Sequence, residues 1–370
     1  MLKWVREANQ RLLSYYFIIL FFVLWQAAPL AGWANPKFIP PLSRVLEEGW
    51  KLILNGKLQL VSSTRTDLIE LKVPTYKICA STVWVVADKK GFLEKEGIKL
   101  VYTGELISSQ ILPSVLNGNN DVATAQPNLL AIAKAGGAQV TAVARNQVEP
   151  SPEVDPIFRH MRWYVRPETG IRSISDLKNY KAGEKIKTNG TVNSCNQFLF
   201  NTLLDKDGVP RDRIEWVTFT NDIAVIQSTS QGILDVAQVH PPYYKSAEDA
   251  GLILIADSTD TDLGEAAGAS LYYFRNDFIK NNPETVEKFV KGIVAAQRWS
   301  NENPEEAIQL TAEWINVPVT GVHYFATSSE IKESDITPWL KDLENSGALK
   351  PGQVKATDLI TRQFEKVSLN

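Results

Sequence analysis

The chain has 370 residues, 44% hydrophobic and 22% charged, with a formal net charge of -3. That is enough apolar material for more than one core, and with no basic surplus to neutralise phosphates, nucleic-acid binding is excluded from the expected functions. Three histidines, His160, His240 and His323, are far apart with no H-x-x-H or H-x-x-x-H spacing, so no metal site is expected. No phosphate-cradling loop of a transporter ATPase occurs, and no motif for calcium, haem or a nucleotide, so no cofactor is assigned.

Lys3, Arg6 and Arg11 precede an uncharged run from Leu12 to Leu24, and the apolar character continues to Trp33. Residues 12–33 match the ~20 residues that cross a hydrocarbon core. The basic flank belongs in the cytoplasm, so everything after about residue 34 is exported. Two outcomes fit residues 1–34: an uncleaved transmembrane anchor behind a short cytoplasmic stub, or a signal peptide cut near Ala34. The first cysteine is Cys79, so a lipid-anchored terminus is not expected, and Cys79 and Cys195 make no disulfide framework. Residues 35–73 read as a membrane-proximal spacer. It holds one helix through Leu46, Trp50 and Ile53, with Ser43 as its cap, and a polar stretch over 62–66.

From residue 74 strands and helices alternate. The strands are expected at 76–80, 98–102, 121–125 and 139–144, with helices over 82–96, 108–116 and 127–135. After the Pro-rich, acidic run 149–153 the pattern restarts. Strands at 163–165, 185–188, 214–217, 235–239 and 252–256 enclose helices over 194–206, 221–231 and 241–250. A strand at 271–274 precedes helices over 283–301, 304–315, 319–326, 335–346 and 356–364. Such alternation predicts a largely parallel sheet covered by helices, in two units. The helical tail needs a surface, expected to be the first unit. Lobe 1 is therefore 74–162 with 271–370, and lobe 2 is 163–270.

In open α/β sheets ligands bind beyond the carboxyl ends of the strands, at helix N-termini. The polar and aromatic residues at those turns are Ser81, Thr82 and Trp84, then Gln126 and Asn128, then Arg145. In the second unit they are Thr191, Asn193 and Ser194, then His240 and Tyr243. Backbone N–H groups at helix starts favour an anionic or strongly polar solute, and Trp84 and Tyr243 could cover its apolar part. Each residue has a structural alternative: helix capping for Ser, Thr and Asn, core packing for Trp84, a satisfied structural role for His240, and a salt bridge for Arg145.

Residues 74–330 resemble the nitrate/sulfonate/taurine group of periplasmic solute-binding proteins, which includes binders of thiamine precursors. The resemblance is an ordered series. Ala87-Asp88-Lys89-Lys90-Gly91-Phe92-Leu93-Glu94-Lys95-Glu96-Gly97-Ile98 opens it, and Leu116-Asn117-Gly118-Asn119-Asn120-Asp121-Val122-Ala123 follows. Gly170-Ile171-Arg172-Ser173-Ile174-Ser175-Asp176-Leu177-Lys178 comes next. Asn282-Pro283-Glu284-Thr285-Val286 and Trp299-Ser300-Asn301-Glu302-Asn303-Pro304-Glu305-Glu306-Ala307 close it. The resemblance implies an α/β two-lobed periplasmic-binding-protein clamshell of type II, preceded here by one transmembrane helix. It implies no enzyme activity, and partnership with an ABC permease and, through it, an ATPase. It places Ser81, Thr82, Gln126, Thr191, Asn193, Ser194 and His240 in the cleft. Pro241-Pro242-Tyr243 departs from the group's usual Trp-Glu-Pro, and the cysteine-rich run of pyrimidine-precursor binders is not evident.

A shorter stretch, Leu24-Trp25-Gln26 with Phe38-Ile39-Pro40-Pro41-Leu42-Ser43-Arg44-Val45-Leu46, resembles the start of the partner permease. Two other functions are carried forward. One is an enzyme of thiamine-pyrimidine synthesis type, with Cys195 as nucleophile and His240 as partner. The other is a sensory or scaffold ectodomain on the same fold.

Overall fold

Short runs of Val, Ile and Ala, closed by Gly or Asn, become the strands of three sheets. The computed structural model describes residues 16, 19–35, 40–54, 68–77, 79–219 and 221–367. β1 (Ile69–Thr75) and β2 (Ile98–Glu105) pair in parallel, Ile69 opposite Ile98. β3 (Val122–Ala125), β4 (Val140–Arg145) and β10 (Leu271–Arg275) form a three-stranded sheet with β10 in the middle. A five-stranded sheet is built from β5 (Arg162–Val165), β6 (Ile186–Asn189), β7 (Ile214–Val217), β8 (Val236–Val239) and β9 (Ile253–Asp257). Its order is β7-β6-β8-β5-β9.

These sheets are mixed, which corrects the expectation of a largely parallel one. β6 runs parallel to β7 and β8, but β5 is antiparallel to β8 and β9, and β10 to β3 and β4. The cause is the route of the chain. It leaves β4 at that strand's carboxyl end and crosses directly to the carboxyl edge of the other sheet, so β5 enters backwards; β9 to β10 repeats the crossing in reverse.

The first strand lies at Ile69–Thr75, not 76–80, and begins inside the stretch read as spacer; Cys79–Ser81 is a single 3-10 turn. Leu71 and Val73 point into the core, while Lys72 points to solvent. Pro74 sits where the pairing register shifts, on a strand paired only with β2, so no central ladder bond is lost. The helix expected over 82–96 divides into Thr82–Lys89 and Phe92–Lys95 because Gly91 adopts φ +70° between them.

The tail also departs from expectation. Helices Pro283–Glu302 and Pro304–Ile315 cover helix Thr82–Lys89. Residues 319–326 form no helix, and 356–364 hold only the 3-10 turn Ala356–Asp358. Ala142 N donates to Leu359 O (2.8 Å) and Thr361 N to Ala142 O (3.0 Å), so this segment lies along β4. Helix Thr337–Asn345 serves two cores. Leu340 and Leu343 join the one beneath β3 and β4. Trp339 enters the core of the five-stranded sheet, its ring 4.1 Å from that of Phe198 and its Nε1 donating to Ala266 O at 2.9 Å. The tail therefore packs on both units, not on the first alone.

Residues 1–66 form a separate unit. A helix over 19–30 is followed by helix Leu42–Leu54. Trp25 Nε1 donates to Pro40 O, and Ser43 exchanges two hydrogen bonds with the Gln26 amide, a contact between the two helices. Ile19, Leu20, Phe21, Val23, Leu24, Leu30 and Trp33 are exposed. Among the described residues no helix is long and apolar enough to cross a membrane. The expected span 12–33 falls partly outside the described residues, as do Lys3, Arg6, Arg11 and the polar stretch 62–66.

Candidate functional site

Because β5 runs against β8, its first residues lie beside the last residues of β8, with Arg162 opposite Val239. His160, two residues before β5, is thereby brought to His240, the residue after β8. β6 ends at the same edge. Its turn passes through Gly190, where φ is +151° and an added Cβ would stand 2.8 Å from the Trp216 ring. The chain then enters helix Cys195–Lys206, whose first residue is Cys195. One ligand atom from each of His160, Cys195 and His240 lies within 4.8 Å of the others.

His323 completes the group from the tail, its ring 5.0 Å from that of His160 and 5.8 Å from that of His240. Gly321 makes this approach possible, since a Cβ there would fall 2.5 Å from Pro241 O. Three histidines with no common spacing thus converge, an arrangement that their separation in the sequence did not lead us to expect. The missing signal was topological: only the reversed strand β5 brings residue 160 to residue 240.

Asp222, in the first turn of helix Asp222–Ser230, holds His240 in place. Its Oδ2 accepts from both the backbone N and Nδ1 of His240, each at 2.8 Å. Nδ1 therefore carries the proton that faces Asp222, and Nε2 is the ring nitrogen on the side of Cys195. That Nε2 is 4.0 Å from Cys195 Sγ, and the cysteine is a free thiol. Burial, aided by neighbouring His240, lowers the His160 imidazole to about 3. Burial and the other two histidines hold His323 well below the usual range. These two rings are neutral at pH 7, and the Nδ1 atom of each is buried without a hydrogen-bond partner.

Behind His160 lies Glu149, 2% exposed. It accepts from His160 N (2.9 Å) and Ser258 Oγ (2.7 Å), with Arg159 3.9 Å away. Burial outweighs these contacts and raises its carboxyl to about 7. It bonds the outgoing crossing segment to the returning one.

The residues expected at the cleft separate into groups. Asn128 Nδ2 donates to Asn193 O at 2.7 Å, so the turns after β3 and β6, on different sheets, touch. Asn193 adopts φ +62°. Ser194 Oγ accepts from Thr191 N and Gln197 N, and Gln197 Oε1 accepts from Asn193 N (2.7 Å), so side chains of the same turn satisfy these N–H groups. Ser81 is 1% exposed with its Oγ unpartnered, while Thr82 Oγ1 bonds Thr311 Oγ1 at 2.8 Å. Gln126 precedes helix Pro127–Ala135 without a side-chain capping bond.

Trp84, Arg145 and Tyr243 are held in packing and ion pairs. Trp84 is a core residue, 2% exposed and packed on Tyr76, Tyr272 and Phe289. Arg145 bonds Glu265 (2.8 Å), Asp335 (3.3 Å) and Ser328 (3.2 Å), and Lys332 also contacts Glu265. Tyr243 is buried in the cluster with Tyr164, Val239 and Tyr244. His160, Asp222, His323 and Glu149 are the residues that sequence reasoning missed.

Strands feeding two sheets, two crossings between carboxyl edges, and polar turns meeting there define the α/β fold of periplasmic binding proteins. Residues 80–307 match the family described as NMT1/THI5 like, and the chain belongs to that family. It is 24% identical over 278 residues to a Brucella abortus protein provisionally named a binding protein, covering 71% of this chain and 80% of that one. Its fold is similar to the periplasmic nitrate-binding protein NrtA of Synechocystis, with TM-score 0.65 and 13% identity over 80% of this chain and 87% of the other. The aliphatic sulphonate-binding protein SsuA of Escherichia coli gives 0.60 and 19%, over 80% and 92%. The fold also serves catalysis: the desulfurization enzyme DSZB gives 0.57 and 12%, over 82% and 99%.

Proposed function

We propose that residues 67–370 bind a small polar anion of the nitrate or sulfonate type outside the cytoplasmic membrane and deliver it to an ABC importer. The observation that carries this reading is the contact of Asn128 with Asn193, which joins the turns at the carboxyl edges of two different sheets. A solute held there touches both sheets, and closing on it is what a permease would recognise. Buried Ser81 Oγ and the Cys195–His240 edge supply polar groups at the same kind of position. The exposed apolar side chains of the 19–30 helix and Trp33 support an N-terminal anchor over residues 12–33. Carbonate-washed membranes should retain the full chain; its release would remove the anchor while leaving solute binding untouched.

The test is a thermal-shift titration of the full chain with nitrate, alkanesulfonates, taurine, bicarbonate and thiamine-pyrimidine precursors. A ligand of the folded state at a hundred times its dissociation constant adds about 2.7 kcal/mol of stability. A midpoint rise with one anion class, weakened by Asn193→Ala, supports the reading. No rise with any of them overturns the anion assignment.

A second reading rests on the Cys195–His240–Asp222 arrangement. A thiol, an imidazole and an orienting carboxylate in that order are the parts of a nucleophilic site. Turnover of a thioester or sulfinate substrate that disappears in Cys195→Ser would establish it.

A further inference from the structure

The group of His160, Cys195 and His240 has more in it than solute recognition requires. Two imidazoles and a thiol come from three segments 35 and 45 residues apart, yet their ligand atoms lie within 4.8 Å of one another. His160 is buried, whereas Cys195 and His240 are partly exposed, so an ion has a route in. The His240 ring is fixed from behind. Asp222 Oδ2 accepts a hydrogen bond from its Nδ1 at 2.8 Å, which turns Nε2 toward Cys195. Metal-bound histidines donate their second N–H to a carboxylate, carbonyl or water, and a carboxylate in that place sets the tautomer and raises donor strength.

We propose that His160, Cys195 and His240 bind a thiophilic d10 metal ion, Zn2+ or Cu+, through two imidazole nitrogens and one sulfur. Hard cations such as Mg2+ and Ca2+ want oxygen donors, and this set has none; nitrogen with sulfur selects zinc and copper. Metal–nitrogen bonds of about 2.0–2.1 Å and a metal–sulfur bond of about 2.3 Å place donors about 3.5 Å apart, so the group contracts by about 1 Å around the ion. The Cys195 proton is released to solvent on binding, and the thiolate becomes the ligand. Three protein donors leave a fourth position for water or an anion. His323, its ring packed 5.0 Å from that of His160, fixes the orientation of that imidazole. The inference is independent of the solute reading, since an ion can bind whether or not any of the tested anions does.

The test uses the full chain stripped of metal with a chelator and kept reduced. Zn2+ is titrated against a chromophoric zinc chelator, and Cu+ against a bicinchoninate-type chelator, in separate arms. The expected result is one ion per chain, with the tighter arm naming the ion. Cys195→Ser and His240→Ala abolish competition with the chelator. Asp222→Asn, which keeps the size but not the charge, weakens binding about 10–100-fold. Co2+ added to the unmutated protein should give a sulfur-to-metal charge-transfer band and the visible bands of a tetrahedral ion, and Cys195→Ser should lose the former. The Co2+ measurement does not depend on how any variant folds. No Co2+ spectrum in the unmutated chain overturns the proposal, and so does stoichiometric binding that survives in a folded Cys195→Ser, His240→Ala double variant.

Discussion

Glu149 shows how much one buried side chain can set. Its carboxyl titrates near 7 in the folded chain against 4.5 when exposed, because burial disfavours the charged form. The folded state therefore binds the proton more tightly than the unfolded one. The stability linked to that proton is complete below pH 4.5 and is lost as pH rises to about 7. At 1.36 kcal/mol per pH unit the loss is on the order of 3 kcal/mol. Glu149→Gln keeps an oxygen for His160 N and Ser258 Oγ but cannot ionise. Urea unfolding should find the variant equal to the parent near pH 4.5 and more stable above pH 7; parallel pH profiles would refute the assignment. Arg145 behaves differently. Its side chain lies between Glu265 and the buried Asp335. Arg145→Met strands a carboxylate and should cost ~3–5 kcal/mol, read as a lower urea midpoint with solute affinity of the folded fraction unchanged.

At the scale of elements, the helix Thr82–Lys89 is held by what covers it. Trp84 lies between Tyr76, Tyr272 and Phe289, so Trp84→Ala should cost ~3–5 kcal/mol of stability. A calorimetric scan would show that loss, while a cleft residue would instead lose ligand affinity at constant stability. Gly321→Ala drives a methyl group against Pro241 O and should cost ~1–3 kcal/mol, with His323 moved off His240. Most elements were legible because their periods and punctuation are local. Pro283 after Asn282 marks the 20-residue helix, and short Val-rich runs mark β8 and β4. Where Pro74 interrupts β1, the same local logic misplaced the strand by several residues. The turn residues Asn128 and Asn193 were legible as candidates by their place after strands. Convergence of His160, His240 and His323 was not, because strand direction is a property of the whole chain's route. Nor were the partners of Arg145, Glu265 and Asp335, which are 120 and 190 residues away.

For the whole of residues 67–370, the two crossing segments and the tail act together. Asn146 and Gln147 bond Ser270, and Glu149 bonds Ser258, so the outgoing and returning segments form one paired connection. Asn128→Ala deletes the amide that reaches Asn193 O. Small-angle scattering of the solute-free chain should then show a larger radius, and the solute should bind more weakly. An unchanged radius and affinity would show that this contact does not hold the two edges together.

Trp339 carries a consequence for evolution and for engineering. The indole is attached to a helix whose Leu340 and Leu343 belong beneath β3 and β4, yet it is inserted beside Phe198 under the five-stranded sheet. Parting the two sheets must either pull that ring out of its socket or carry the whole helix along. In the solute-binding role proposed above, a balance between open and shut forms would be weighted by this core residue, outside the candidate cleft. Apparent affinity scales with the fraction of chains already in the receptive form. On that same reading, substitutions around Trp339 shift the apparent solute affinity while every candidate cleft residue stays the same.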